Sequence, residues 1–352
     1  MITRSPRRPS ALPLAALTLL LATATLPGAA QDHTPPAAPT PAALAPAAQD
    51  PQPEAQLHED LGVPENVDII TPHITDGYHM ELPYWKPPFY TEICLGRHVG
   101  EHGCEPLWEP IHIGGLELQL SPTKHVVMLI LAATLCALVL VGTARAHARH
   151  THAVGRPRGF AAGIEAMVLY LRNEVVLPNV GPHGNGYVPY LLSLFFFILF
   201  ANLLGLVPYG STATGNIAVT ATLAIVAFLV TEISGMRALG AGYLSTIFYW
   251  NKDLTLPLRI VLFLIMSPVE LLAKFTKPFA LAIRLFANMT AGHIVVLAFI
   301  GLIFAFMGPV AAAPFAMAVG IMLLEIFVSF LQAFIFTLLT SVFIGQMRVA
   351  HH

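Results

Sequence analysis

The sequence predicts an all-α polytopic membrane protein: five membrane helices, one amphipathic helix on the cytoplasmic face, and a long tilted hairpin made by the last two spans. Three observations carry that reading. Of 352 residues, 55% are hydrophobic and only 11% are charged, against about 25% charged in soluble domains. From residue 126 onward the chain repeats apolar runs of the size a membrane helix needs, about 20 residues. The last two runs are much longer than that. A formal net charge of −2 gives no bulk attraction to nucleic acid.

Residues 1–30 look like a signal peptide. Arg4, Arg7 and Arg8 precede a short apolar stretch from Ala11 to Thr25, and Gly28, Ala29 and Ala30 offer a cleavage site. The alternative is an uncleaved anchor; either one exports the residues after it. Residues 31–57, rich in Pro, Ala and Gln, read as a linker. Residues 58–120 read as a small exported extension with little helix and a strand-like alternation at 113–120. Within it Cys94, His98, His102 and Cys104 leave three readings open: a disulfide, favoured by an oxidising compartment, a zinc site, or neither. Cys136 lies in an apolar run and reads as packing.

Residues 121–352 form the membrane domain. Val126–Thr143 is the first span. Arg145, Arg149, Arg156 and Arg158 come after it, among His147, His150 and His152, which places this side in the cytoplasm. Over 159–176, Phe160, Ile164, Met167, Val168, Leu171 and Val175 recur at helical spacing, with Glu165, Arg172 and Glu174 elsewhere on the wheel. That is an amphipathic helix, too charged to span. Tyr187–Val207 returns to the exported side, and Pro208, Gly210 and Gly215 make the turn. Asn216–Thr231 is the third span, and 238–256 is a cytoplasmic loop. Leu258–Thr290 and Ala311–Gln346 are the long pair. Helices of that length reach about 50 Å, against a hydrocarbon layer of about 30 Å. They must tilt, kink or run along the membrane, and Pro268 and Pro278 are kink points. Gly308, Pro309 and Pro314 close the hairpin. The N-terminus is then exported and the C-terminus cytoplasmic.

The chemistry begins with Arg284. Residues 285–324 contain no Asp, Glu, Lys or Arg. A guanidinium at bilayer depth costs roughly 2.5–3.5 kcal/mol on insertion scales, and it cannot lose its proton. Unless it snorkels to the interface, it needs a negative partner, and no acid lies beside it on its own helix. The partner is expected on another chain. Glu270, Lys277 and Arg284 are spaced by seven, and Ser267, Lys274 and Asn288 join that face at steps of three or four. For Glu270, Lys274 and Lys277 the alternative is a solvated helix start. His293 turns to the opposite side. Glu325 and Gln332 are also seven apart, and Glu325 is the only acid after Glu270. A carboxyl in an apolar segment is a candidate proton carrier, and imidazole, with an ordinary pKa near ~6.5, titrates close to neutral pH. If the two long helices pack antiparallel, His293 and Glu325 lie at similar depths and can form a relay; the alternative is a structural buried pair.

The run from Lys277 to His293, with Arg284-Leu-Phe-Ala-Asn288-Met-Thr-Ala-Gly-His293 at its centre, resembles subunit a of F-type ATP synthases. Leu331-Gln-Ala-Phe-Ile-Phe336 and Phe200-Ala-Asn-Leu-Leu-Gly-Leu-Val-Pro208 are similar too, and the resemblance covers roughly residues 120–348. It implies a stator channel beside a rotating ring of c subunits. Arg284 matches the family's essential arginine facing the ring carboxylates. Asn288, His293, Glu325 and Gln332 match positions lining the half-channel open to the exported side, and Glu270 matches an acid near the cytoplasmic half-channel. Many bacterial members carry Glu at the position of His293 and His at that of Glu325; here the two are exchanged, which leaves the order of proton hand-off open. The resemblance further implies a b-type peripheral stalk, with 159–176 as a candidate contact, the other ATP synthase subunits and the lipid bilayer as partners. It implies a bacterial inner-membrane location, no cofactor and no metal, and no covalent catalysis by this chain. The rival readings are a self-contained ion transporter, a scaffold without transport, and a sodium-coupled version of the same subunit. The first would need its own acid near Arg284 and, commonly, paired repeats; neither is evident in the sequence.

Overall fold

A helix that is apolar on every side is buried in protein or faces lipid, and the run around Phe195-Phe-Phe197 takes the first course. In the structure, a computed structural model, it lies at the centre of the helical domain. The structure describes residues 76–348 except 84–89, 100–102, 110, 114–115, 119–120, 151–158, 183, 208–209, 244–247, 249–254 and 307. The expected signal peptide, the linker, the first part of the extension, and Arg156 and Arg158 lie outside the described residues.

Among the described residues seven α-helices occur in chain order: α1 Lys124–His150, α2 Phe160–Tyr170, α3 Leu177–Val180, α4 Val188–Gly205, α5 Ile217–Leu239, α6 Leu256–Ala305 and α7 Ala312–Arg348. A π-helical turn, Leu171–Val176, joins α2 to α3. Among the described residues five helices are long and apolar enough to cross a membrane: α1, α4, α5, α6 and α7. The chain is a multi-pass membrane protein. Its core is built by Leu191, Phe196 and Ile198 of α4, Leu223 of α5, Leu285 and Met289 of α6, and Phe336 and Ile344 of α7, all buried. The two long helices pack against each other, α5 packs against both, and α1 leans on α4 at the periphery.

The charged segment lies where its apolar side can be covered. Ile164, Leu171 and Val175 are buried while Glu174 is exposed, although Phe160, expected on the apolar side, is also exposed. Gly181, at φ 78°, ends α3 in a conformation that favours glycine. The end of α7 docks there. Arg348 donates to the Val180 and Pro182 carbonyls at 3.2 and 3.1 Å, a favourable use of a cation at a helix C-terminus. A side chain at Gly345 would run into the Asn179 carbonyl.

Three element bounds differ from the sequence expectation. The helix read as Leu258–Thr290 continues to Ala305, passing through Pro268 and Pro278. Residues 291–305 contain no proline and, apart from His293, no polar side chain, so the helix runs through Gly292 and Gly301. At 1.5 Å per residue α6 is about 75 Å long, more than twice the ~30 Å hydrocarbon layer. The third span includes Glu232 and Arg237, because a helix stopped at Thr231 would be about 24 Å long and too short to cross. Pro314 lies in the first turn of α7, where a missing N–H costs nothing.

The extension contains three antiparallel pairs of strands among its described residues: β1 His79–Pro83 with β2 Tyr90–Cys94, β3 Arg97–Val99 with β4 Gly103–Glu105, and β5 Ile111–Ile113 with β6 Leu116–Leu118. The alternation read at 113–120 thus contributes to the last pair. Cys94 and Cys104 form a disulfide. Among the described residues no group of three or more His, Cys, Asp and Glu is placed to hold a metal; His102 lies outside them.

Candidate functional site

Arg284 is exposed on the surface of α6 and makes no hydrogen bond or ion pair with any described residue. The register of the hairpin fixes its level. Asn288 Nδ2 donates to Gln332 Oε1 at 3.0 Å, and Lys277 Nζ lies 3.5 Å from Gln346 Oε1. Antiparallel pairing between those contacts sets Arg284 opposite Phe336. Leu281, Leu285, Ala333 and Phe336 are all buried here. An apolar layer therefore lies behind the arginine.

On the hairpin side of this layer the polar groups converge. Beyond the Asn288–Gln332 bond, Glu325, two turns along α7, is buried against Gly292, one turn along α6. His293, the next residue, is half-buried. Three buried polar atoms, Glu325 Oε1, Ser329 Oγ and Gln332 Nε2, have no hydrogen-bond partner among the described residues. Unpaired buried polar atoms are rare in folded proteins and call for a reason. Asn202 of α4 reaches the same layer: it accepts from Thr214 Oγ1 at 2.8 Å, and its Nδ2 lies 3.5 Å from the Ser329 carbonyl. Thr290 Oγ1 lies 3.4 Å from the Gly215 carbonyl. The short turn Ala213–Gly215 therefore bridges α4 and α6.

On the other side of the apolar layer, Lys274 is buried. Its Nζ lies 2.7 Å from Tyr243 Oη and 3.4 Å from Glu232 Oε2. A small open cleft is lined here by Thr231, Glu232, Lys274, Lys277 and Thr340 among apolar side chains. Glu270 is half-buried and bonded to no described residue.

The structure thus brings Asn288, Gln332 and Glu325 into one layer with His293 beside them, and leaves Glu270 apart. The single polar face expected on α6 divides in two. Lys274 and Ser267 turn inward while Arg284 and Asn288 turn outward. Ten residues at 100° each leave Lys274 about 80° from Arg284, enough to separate a protein-facing side from an outward one. Sequence reasoning does not single out Glu232, Tyr243, Asn202 or Thr214. For Glu232 a signal is present: a lysine buried in an apolar helix needs a counter-charge.

Fold and site together define a multi-pass membrane protein with polar layers on either side of an outward-facing arginine. The sequence model of the ATP synthase A chain matches residues 125–345. The chain is 42% identical over 315 residues to ATP synthase subunit a of Anaeromyxobacter sp. (strain Fw109-5), covering 85% of this chain and 73% of that one. It is 44% identical over 296 residues to ATP synthase subunit a of Myxococcus xanthus, covering 81% and 91%. It is 40% identical over 353 residues to ATP synthase subunit a 2 of Chlorobium luteolum, covering 96% of each. This chain belongs to the ATP synthase subunit a family, and is a membrane component of an F-type ATP synthase.

Proposed function

We propose that this subunit provides two proton half-channels to a rotating ring of c subunits and couples proton flow to rotation and ATP synthesis. The observation that carries the reading is Arg284: outward-facing, unpartnered within the described chain, and backed by an apolar layer that parts two polar layers. A fixed cation there favours the ionised form of an approaching carboxylate and repels an excess proton, so protons cannot pass directly between the layers. The Asn288, His293, Glu325 and Gln332 layer serves the exported side. There a proton leaves the Glu325 carboxyl or the His293 ring and joins a ring carboxylate, which becomes neutral and can move into lipid. On the other side the ring carboxyl gives its proton back to water near the Lys274 cleft and Glu270. Each charge crossing 100 mV delivers about 2.3 kcal/mol. The chain itself makes and breaks no covalent bond beyond these proton transfers.

In this reading the extension is periplasmic and the C-terminus cytoplasmic in a bacterial inner membrane, supported by the basic residues after the first span. A b-type stalk packs near 159–176. The ion is a proton; a sodium-coupled ring would use the same arginine. A self-contained transporter would need an acid of its own beside Arg284, and no such contact occurs among the described residues. The test is Arg284→Ala in reconstituted enzyme. ATP-driven proton pumping should stop while the complex stays assembled, and normal pumping would remove the proposal.

A further inference from the structure

We propose that His125, held by Asp76 of the extension, is the proton-loading group at the exported mouth of the half-channel. The inference rests on the proton-channel reading above.

His125 is buried at the start of α1. Its Nδ1 lies 3.0 Å from Asp76 Oδ1 and 3.4 Å from Asn216 Nδ2. Asn216 Oδ1 accepts from the Ala218 N–H at 2.9 Å as the cap of α5, so the amide must turn its NH₂ toward His125. An ionised carboxylate only accepts, and an amide NH₂ only donates. Nδ1 cannot satisfy both at once. Carrying a proton, it donates to Asp76; without one, it accepts from Asn216. One ring nitrogen therefore has two bonded states that differ by a proton.

The partner of each state leads somewhere. Asp76 belongs to a segment pinned to the membrane domain. The Gly77 carbonyl accepts from the Lys124 N–H at 2.9 Å and the Tyr78 carbonyl from the Leu95 N–H at 2.8 Å. The Cys94–Cys104 disulfide ties the adjoining strand pairs together. Asn216 comes directly after the turn Ala213–Gly215. From that turn the Gly215 carbonyl meets Thr290, one helical turn before His293, and Thr214 meets Asn202, which reaches Ser329, one turn from Glu325. Polar groups thus extend from the extension to the Glu325 layer without leaving the protein.

The step balances simply. An exported hydronium gives a proton to bare Nδ1: one O–H bond breaks, one N–H bond forms, and the nitrogen exchanges Asn216 for Asp76. Release breaks that N–H bond, an O–H bond forms on the ionised Glu325 carboxyl, which takes up the proton inward of the 213–216 turn, and bare Nδ1 returns to the Asn216 contact. Among the described residues the titratable groups around His125 are Asp76 and Tyr78 from the extension and Lys124 beside it on α1. Of the elements packed on α1, the turn Ala213–Gly215 has no titratable side chain, α4 offers only Tyr190, and α2, near the opposite end of α1, offers Glu165 and Tyr170.

The experiment measures ATP synthesis by reconstituted holoenzyme at a fixed electrical driving force while exported-side pH is varied. For His125→Gln we expect a rate about tenfold lower and a changed pH profile. Asp76→Asn and Asn216→Asp each alter one partner, and Asp caps a helix as well as Asn; both should move the profile in assembled enzyme. If His125→Gln fails to assemble, these two variants decide. An unmoved profile in assembled Asp76→Asn and Asn216→Asp, or a rate loss without any change of profile, overturns the inference. Arg284→Ala is run alongside. If it still synthesises ATP, the channel reading fails; if it is inactive while the His125 and Asp76 variants match wild type, only the present inference fails.

Discussion

The carboxyl group of Glu325 lies against the backbone of Gly292, so close that a β-carbon at position 292 would meet Glu325 Oε1 at 2.5 Å and Cδ at 2.8 Å. The glycine allows the buried acid of α7 to sit between the two long helices, next to His293. The atom in the way is the tip of a flexible side chain, so Gly292→Ala should displace the carboxyl rather than break the hairpin. We expect the complex to assemble and proton conduction through the membrane sector to fall about tenfold. Gly320→Ala on the same hairpin, where a β-carbon would meet nothing within 4 Å, should conduct normally. Equal conduction by the two variants would separate the Gly292 contact from transport.

Replacing the acid asks a different question. Glu325→Gln keeps the shape and removes the exchangeable carboxyl proton, leaving His293 as the titratable group of that layer. Transport should slow strongly and its dependence on pH should change. Pumping measured across the neutral range by a pH-sensitive dye reads both effects, and an unaltered pH profile would exclude Glu325 as a carrier.

Lys274 and Glu232 form an ion pair at 3.4 Å, with side chains 3% and 16% exposed. Removing one partner of a buried pair leaves the other charge uncompensated and costs about 3–5 kcal/mol, whereas removing both costs much less. Lys274→Met should therefore lower the thermal stability of the detergent-solubilised complex, and Lys274→Met with Glu232→Gln should recover most of the loss. A double variant as unstable as the sum of the singles would show that the charges do not interact.

Acid should loosen the extension. Burial raises the proton affinity of Asp76, but the hydrogen bond and charge of His125 and the Gly77 N–H outweigh it and hold the carboxyl below its ordinary value. A group with a lowered folded pKa adds stability that is present above its unfolded value, about 3.9 for Asp, and is lost as pH falls through the folded one. Protection of the Gly77 and Lys124 amides from hydrogen exchange should therefore weaken below about pH 4 in wild type. It should already be reduced at neutral pH in Asp76→Asn. Identical protection in the two proteins would contradict the pairing.

Much of this is legible in the residues. An arginine followed by a long uncharged stretch announces its cost, and Glu325 and Gln332 at a spacing of seven announce a shared face, because both rules depend only on local period. The apolar runs mark five spans for the same reason. The illegible part depends on neighbours distant in sequence. Glu232 meets Lys274 across 42 positions and Asn202 nears Ser329 across 127; neither pairing has a local period. Sequence reasoning ends α6 at Thr290, whereas the helix runs on through Gly292 to Ala305. The reason for Gly292 lies on another helix, in the carboxyl it accommodates. The inward turn of Lys274 is hidden when steps of three, four and seven are treated as one face, although their rotations accumulate.

The most direct measurement is the structure of the assembled membrane sector with Arg284 resolved. The expected result is a carboxyl group from another chain, on a ring of repeated helices, within reach of the guanidinium, with the α6–α7 surface around Arg284 covered by that ring. An Arg284 directed into lipid or bulk water, with no acid of any chain near it, would contradict the proposed coupling.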